Sequence, residues 1–84
     1  SSKGHLTPCR YGVVVEEVVE GPEEAYRARQ LYTLRGRFCE LLGEGDRFEA
    51  RGVLELVEYA DGGRLYRVYL GYPGDYLRPI PSRR

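Results

Sequence analysis

Hydrophobic and polar residues alternate along three stretches of this chain, and those stretches set its expected architecture. From Gln30 to Leu42, Tyr32, Leu34, Gly36 and Phe38 fall on one side and Thr33, Arg35, Arg37 and Cys39 on the other. From Arg47 to Tyr59, Phe48, Ala50, Gly52, Leu54 and Leu56 face one way, and Arg47, Glu49, Arg51, Val53, Glu55 and Val57 the other. Arg64 to Tyr72 follows, with Tyr66, Val68 and Leu70 inward. A period of two is the signature of a half-buried strand. Asp61-Gly62-Gly63 joins the last two stretches, its glycines supplying positive φ for a hairpin. A three-residue loop there places Val57 beside Arg67 and Glu55 beside Tyr69, which keeps the faces consistent. The three stretches are expected to form one antiparallel meander with its arginines turned to solvent.

The rest of the chain adds shorter elements. Val13, Val14, Val15, Val18 and Val19 crowd the segment from Tyr11 to Val19, which predicts a strand buried on both faces for part of its length. Gly21-Pro22-Glu23-Glu24 ends that strand and opens a short helix over Glu23 to Arg29, with Glu23 and Arg27 spaced as an i, i+4 pair. Gly43 to Asp46 and Tyr72 to Asp75 read as turns, and Tyr76 to Ile80 as a short edge strand stopped by Pro79 and Pro81. Residues 1–7 read as a polar leader or linker, 8–80 as one domain and 81–84 as a tail. The expected fold class is therefore all-β with one short helix: a small antiparallel β-barrel of about five strands, similar to an oligonucleotide-binding barrel. A sheet with the helix covering one end is the alternative.

Composition narrows the setting. Eighty-four residues make one domain, and a chain this short buries a modest core. Lys plus Arg equals Asp plus Glu at 13 each, so the net charge is zero; general attraction to phosphate backbones or anionic membranes is not expected. No apolar run approaches a membrane span, and no signal peptide is evident, so a cytoplasmic protein is expected. Lys3 is the only lysine, Asn is absent and Gln30 is the only glutamine. That profile suits a thermophile rich in surface ion pairs. Met is also absent, which fits a fragment. Cys9 and Cys39 are the two cysteines: buried free thiols in an ordinary cytosol, a disulfide in a hyperthermophile.

No catalytic constellation emerges. The serines, Ser1, Ser2 and Ser82, lie near the termini and the single histidine, His5, lies in the leader. Two cysteines and one histidine make no zinc site, and Gly43 and Gly45 precede no Lys-Ser/Thr of a phosphate loop. The fragment is expected not to be an enzyme, with no cofactor of its own. Its outward face is more informative. Arg35, Arg37, Arg51, Arg67 and Tyr69 are expected there, the interleaving of guanidinium and aromatic groups that holds single-stranded nucleic acid. Glu49 and Glu55 share that face, so a salt-bridged surface is the competing reading. Val53, Val57, Tyr59 and Leu65 fall on it too, either covered by another element or forming a docking surface for a second domain or a second copy of the chain.

Four motifs carry a resemblance. RGRFCE (Arg35 to Glu40), GDRFEARGVLELV (Gly45 to Val57), YRVYLG (Tyr66 to Gly71) and GDY (Gly74 to Tyr76), with TPCRY (Thr7 to Tyr11) ahead of them, resemble the C-terminal domain of predicted archaeal nucleotidyltransferases. The resemblance covers about Thr7 to Ile80. It implies an upstream catalytic domain of the same protein, with a Gly-Ser pair and an Asp-x-Asp pair handling Mg²⁺ and a nucleoside triphosphate. Neither motif occurs in this chain, so no catalytic residue carries over. The implied role is an accessory barrel helping to hold a nucleic-acid substrate; a structural module that packs on the catalytic domain or forms a homodimer is the alternative. Cys9 and Cys39 both fall in the matching motifs, which favours their pairing or close contact.

Overall fold

The computed structural model describes residues 9–33 and 42–81. The fold is all-β: the described residues hold six strands, β1 (Cys9–Gly12), β2 (Ala28–Thr33), β3 (Phe48–Arg51), β4 (Val53–Glu58), β5 (Arg64–Leu70) and β6 (Tyr76–Pro79), with one short 3-10 helix, Glu23–Arg27. They form two sheets. One has four strands in the order β1-β2-β5-β4; the other pairs β3 with β6. The core lies between them. Leu31 and Leu70 come from the large sheet and Leu77 from the small one, with Tyr11, Val13, Leu42, Phe48, Ala50 and Val68 packed around them. The expected leader, and the expected tail beyond Pro81, lie outside the described residues.

The antiparallel meander does not form, for a local reason. The alternating stretch from Arg47 to Tyr59 is broken at Gly52, and its halves enter different sheets. A Cβ at Gly52 would sit 2.5 Å from the Tyr69 carbonyl oxygen and 3.0 Å from Val68 Cγ1. The backbone therefore bends against β5 at a point where only glycine fits. This break sends β3 to β6 and leaves the large sheet open, with β1 and β4 at its edges; among the described residues no barrel closes. β2 meets β5 in parallel, Leu31 beside Val68 and Thr33 beside Leu70, rather than as an antiparallel neighbour of β3.

The hairpin forms with its register shifted by two. Glu55 faces Arg67, Val57 faces Leu65 and Val53 faces Tyr69. The chain turns one residue earlier than its glycines suggest. Of Gly62 and Gly63, only Gly62 takes positive φ, at 92°. Asp61 Oδ1 accepts the Gly63 N–H at 2.9 Å, and Tyr59 N–H donates to the Gly63 carbonyl at 2.8 Å, so the loop closes on Tyr59 and Gly63. The Tyr72 to Asp75 turn matches its sequence: Pro73 precedes Gly74 at φ 95°, a type II pattern, and Asp75 Oδ2 accepts the N–H groups of Gly71 and Tyr72 at 3.0 and 2.9 Å.

Two further expectations change. The valine-rich run pairs as a strand only at its start, in β1; Val14 and Val19 are 81% and 75% exposed. The run instead carries Glu16 and Glu20, which pair with Arg47 and Arg51 of the β3 stretch at 2.7 and 3.0 Å. The matching four-residue spacings show the two segments running side by side without a ladder. The helix is 3-10, not α. With three residues per turn, positions four apart no longer share a face. Accordingly, no Glu23–Arg27 ion pair exists among the described bridges.

Gly52→Ala is expected to destabilise the domain by about 2 kcal/mol or more, because the added methyl must push on backbone. Gly12→Ala, where a Cβ meets open space, serves as the matched control in urea unfolding and is expected to change little. Burial pushes the Tyr11 phenol above its ordinary value, so its neutral form is favoured in the folded state. Stability is then full below about pH 10, the unfolded tyrosine value, and declines as pH rises above it. Tyr11→Phe, followed by thermal melts across that range, is expected to flatten this alkaline decline.

Candidate nucleic-acid interface

β2 and β5 lie side by side, so alternate residues of each share a face. Thr33 is fully buried and Leu31 is 2% exposed, which turns that side of β2 inward. The opposite side carries Tyr32, next to Tyr69 of β5 in the parallel register. Their rings stack with centroids 5.8 Å apart and planes 24° from parallel. Tyr72 completes a ladder, meeting Tyr69 edge-on at 5.6 Å. Gly71 allows this geometry: a Cβ there would lie 2.7 Å from the Tyr69 hydroxyl oxygen. The Tyr69 ring leans over the glycine rather than standing away from the strand.

Two guanidinium groups flank the ladder. Arg67 lies over the Tyr32 ring at 4.5 Å from its centroid, and Arg10 of β1 approaches the same ring at 6.0 Å. Arg67 Nε also donates to Glu55 Oε1 at 2.8 Å, across the β4–β5 register. Its side chain and that of Glu55 are 24% and 32% exposed, the most enclosed of the described ion pairs. The result is a sheet face with three tyrosines, one braced arginine and one arginine, Arg10, that no described ion pair neutralises. Such a face offers ring surfaces for stacking and guanidinium groups for phosphate or carboxylate oxygens.

The expected interface residues divide. Arg67 and Tyr69 are brought together. Arg51 is not with them: it stands on β3 in the small sheet, where Glu20 holds its guanidinium and raises its already high pKa. Arg35 and Arg37 lie outside the described residues. Tyr32 was missed because the alternation set Thr33 on the outward side with Arg35 and Arg37, whereas Thr33 is buried and Tyr32 lies on the opposite side of β2; Arg10 and Tyr72 were missed because they reach the face from β1 and from beyond the end of β5. The ring-bearing positions on either side of β5's hairpin partner were visible in the sequence, but not their assembly.

The apolar group sits on the same surface. Val53 stands across from Tyr69, and Val57 across from Leu65. Val53 and Tyr59 are 42% and 49% exposed, while Val57 and Leu65 are half-buried. Cys9, at the start of β1 across from Thr33, is disulfide-bonded; Cys39 lies outside the described residues. Among the described residues no group of three His, Cys, Asp or Glu side chains gathers to hold a metal ion. Among the described residues no helix is long and apolar enough to cross a membrane.

No family model matches the chain, and neither the curated proteins nor the solved structures contain a match to it.

A double-mutant cycle on Arg67 and Glu55 is expected to give a coupling of about 1 kcal/mol, at the upper end for ion pairs, because both groups are largely enclosed. The same cycle on Arg64 and Glu58, more than 60% exposed, is expected to give little coupling in the same unfolding assay.

Proposed function

We propose that this domain is a non-catalytic module that holds single-stranded nucleic acid across the Tyr32–Tyr69–Tyr72 face. The observation that carries the reading is the tyrosine ladder flanked by Arg10 and Arg67. Bases stack on aromatic faces with little regard to sequence, at about 1–3 kcal/mol per base, while guanidinium groups track the backbone. Tyr72, 55% exposed at the end of the ladder, offers the most open ring. Arg67 is already braced by Glu55 and positions Tyr32, so Arg10 is the cation with capacity left for a phosphate. A zero net charge fits a module whose affinity is local and modest, working beside a stronger site.

The motif resemblance supplies the companion: a nucleotidyltransferase catalytic domain of the same protein, holding Mg²⁺ and a nucleoside triphosphate, in the cytoplasm of a thermophilic archaeon. In that arrangement the module keeps a nucleic-acid substrate near the transfer site and contributes no catalytic group. The exposed Val53 and Tyr59, beside the Val57–Leu65 pair, favour a second reading in which the same sheet face docks on the catalytic domain or on a second copy of this chain.

Fluorescence anisotropy with a labelled 12-nucleotide RNA tests the first reading. Binding is expected at low ionic strength. With Arg10 as the phosphate contact, the slope of log K against log salt is expected near −0.7, on the basis of about −0.7 per contact. Tyr72→Ala is expected to weaken binding about fivefold or more, and Arg10→Gln to reduce the slope by about 0.7. Absence of salt-sensitive binding sinks the nucleic-acid reading. Sedimentation then tests the second: a dimer dispersed by Val53→Glu supports self-association.

A further inference from the structure

A second basic feature lies away from the tyrosine ladder, where the 3-10 helix enters β2. A cleft of about 360 Å³ there is lined by Arg27, Arg29, Leu56, Arg64, Leu65 and Tyr66. Its three arginines arrive by different routes. Arg27 ends the 3-10 helix and Arg64 begins β5. Arg29 occupies a bulge: Ala28 faces Tyr66 and Gln30 faces Arg67, so Arg29 is the extra residue between them. Bulges re-aim a side chain out of the alternating pattern. One Arg29 nitrogen, Nη1, donates to the Tyr26 and Ala28 carbonyls at 3.0 and 3.1 Å, which fixes the guanidinium at the cleft and leaves its other donors available.

The charge pattern makes this cleft unusual in the molecule. The described arginines are Arg10, Arg27, Arg29, Arg47, Arg51, Arg64, Arg67 and Arg78. Five of them pair with glutamates: Arg47, Arg51, Arg64, Arg67 and Arg78. Of the three without an acidic partner, two are Arg27 and Arg29, in one cleft. The third arginine of the cleft, Arg64, has only a 3.5 Å contact with Glu58, the longest of the described bridges. Three guanidinium groups and one carboxylate leave two positive charges uncompensated. No acidic residue lines the cleft itself. Beside the cations stand the Tyr66 ring, with Arg27 at 5.8 Å from its centroid, and Leu56, which is 43% exposed.

The geometry points to a binding site for a phosphate monoester carrying a planar body. The dianion matches the two spare charges, and guanidinium forks fit phosphate oxygens in pairs. Tyr66, Leu56 and Leu65 form the apolar wall against which the planar body rests. The volume lies within the range of small-ligand pockets. The site is independent of the tyrosine ladder, since none of its lining residues belongs to that ladder. Two sources share this chemistry: a free nucleotide, and the terminal phosphate of a strand.

Amide chemical shifts of the 84-residue chain, followed during titration, test the site. The probes are inorganic phosphate, a nucleoside monophosphate and a 5′-phosphorylated trinucleotide, with the unphosphorylated nucleoside and trinucleotide as blanks. The monophosphate or the phosphorylated trinucleotide is expected to shift Arg27, Arg29, Arg64, Leu65 and Tyr66 together, and to bind at least tenfold more tightly than inorganic phosphate. A response to the monophosphate assigns a free nucleotide; a response to the trinucleotide alone assigns a strand terminus. Arg27→Gln with Arg64→Gln is expected to weaken binding tenfold or more, whereas Arg78→Gln, in the small sheet, leaves it unchanged. Arg27→Lys with Arg64→Lys retains the charge and is expected to recover only part of the affinity. Should the glutamine pair unfold the domain, the lysine pair still reads the loss. The proposal is overturned if no phosphorylated probe shifts these amides, if the unphosphorylated blanks do so equally, or if Arg78→Gln weakens binding as much as the cleft variants. Tyr72→Ala, which disables the tyrosine ladder, is expected to leave this titration unaltered, so failure of either site is read separately.

Discussion

The close passage of the Gly52 backbone over β5 is the constraint on which the arrangement depends. A side chain at that position would collide with the Tyr69 carbonyl. With glycine, the chain crosses from the small sheet to the large one within a single residue, so that β3 pairs with β6 and β4 with β5. Both layers of the core follow from this crossing. Leu77 and Phe48 approach from one side and Leu31 and Leu70 from the other. The buried set is small, as expected for a chain of this length. The shape then relies on backbone pairing, glycine-permitted contacts and turn hydrogen bonds as much as on apolar burial.

The same crossing places the candidate sites. β5 accepts β4 on one edge in antiparallel order and β2 on the other in parallel order. The parallel partner brings Tyr32 to Tyr69 and so creates the ladder; the antiparallel partner brings Glu55 to Arg67 and so fixes the arginine over the ring. Near the start of the parallel ladder, the bulge at Arg29 releases one side chain from the alternation and turns it toward Arg27 and Arg64. The two surfaces thus arise from the two ends of one strand pair. Most other described guanidinium groups are matched with glutamates, in keeping with a surface organised by ion pairs. In a neutral chain of this kind, the arginines left without acids are the informative ones.

The sequence revealed local structure more fully than it revealed neighbours. Alternation placed Phe48 and Ala50 opposite Glu49 and Arg51, and Val68 and Leu70 opposite Arg67 and Tyr69, because a period of two is a property of one strand. The edge strand at Tyr76, the Tyr72 to Asp75 turn and the hairpin between β4 and β5 were legible from their glycines and prolines, which are likewise local signals. Register was not, since Asp61 caps Gly63 and shifts the loop by a residue, a choice two adjacent glycines leave open. Sheet membership was not legible either. Gly52 fits the alternation as an inward residue, and only its nearness to Tyr69 marks it as a crossing. The valines after Tyr11 were misread because β-branched density reports strand propensity and not the availability of a partner. Arg51 and Arg67 therefore share a polarity pattern but not a surface.

The parallel pairing of β2 with β5 also governs the order in which the chain can acquire its shape. Leu31 finds its lasting neighbour only in Val68, far along the chain, after two strands and a hairpin have intervened. The β4–β5 hairpin needs no such wait, since its partners are separated by one tight loop. Loops that long must be closed before their contacts give any return, which slows assembly. On a ribosome, β2 can pair with β1 early but remains without its central neighbour until β5 has emerged. The inward side of β2, with Leu31 and Thr33, is thus uncovered throughout that interval, although the finished fold buries both.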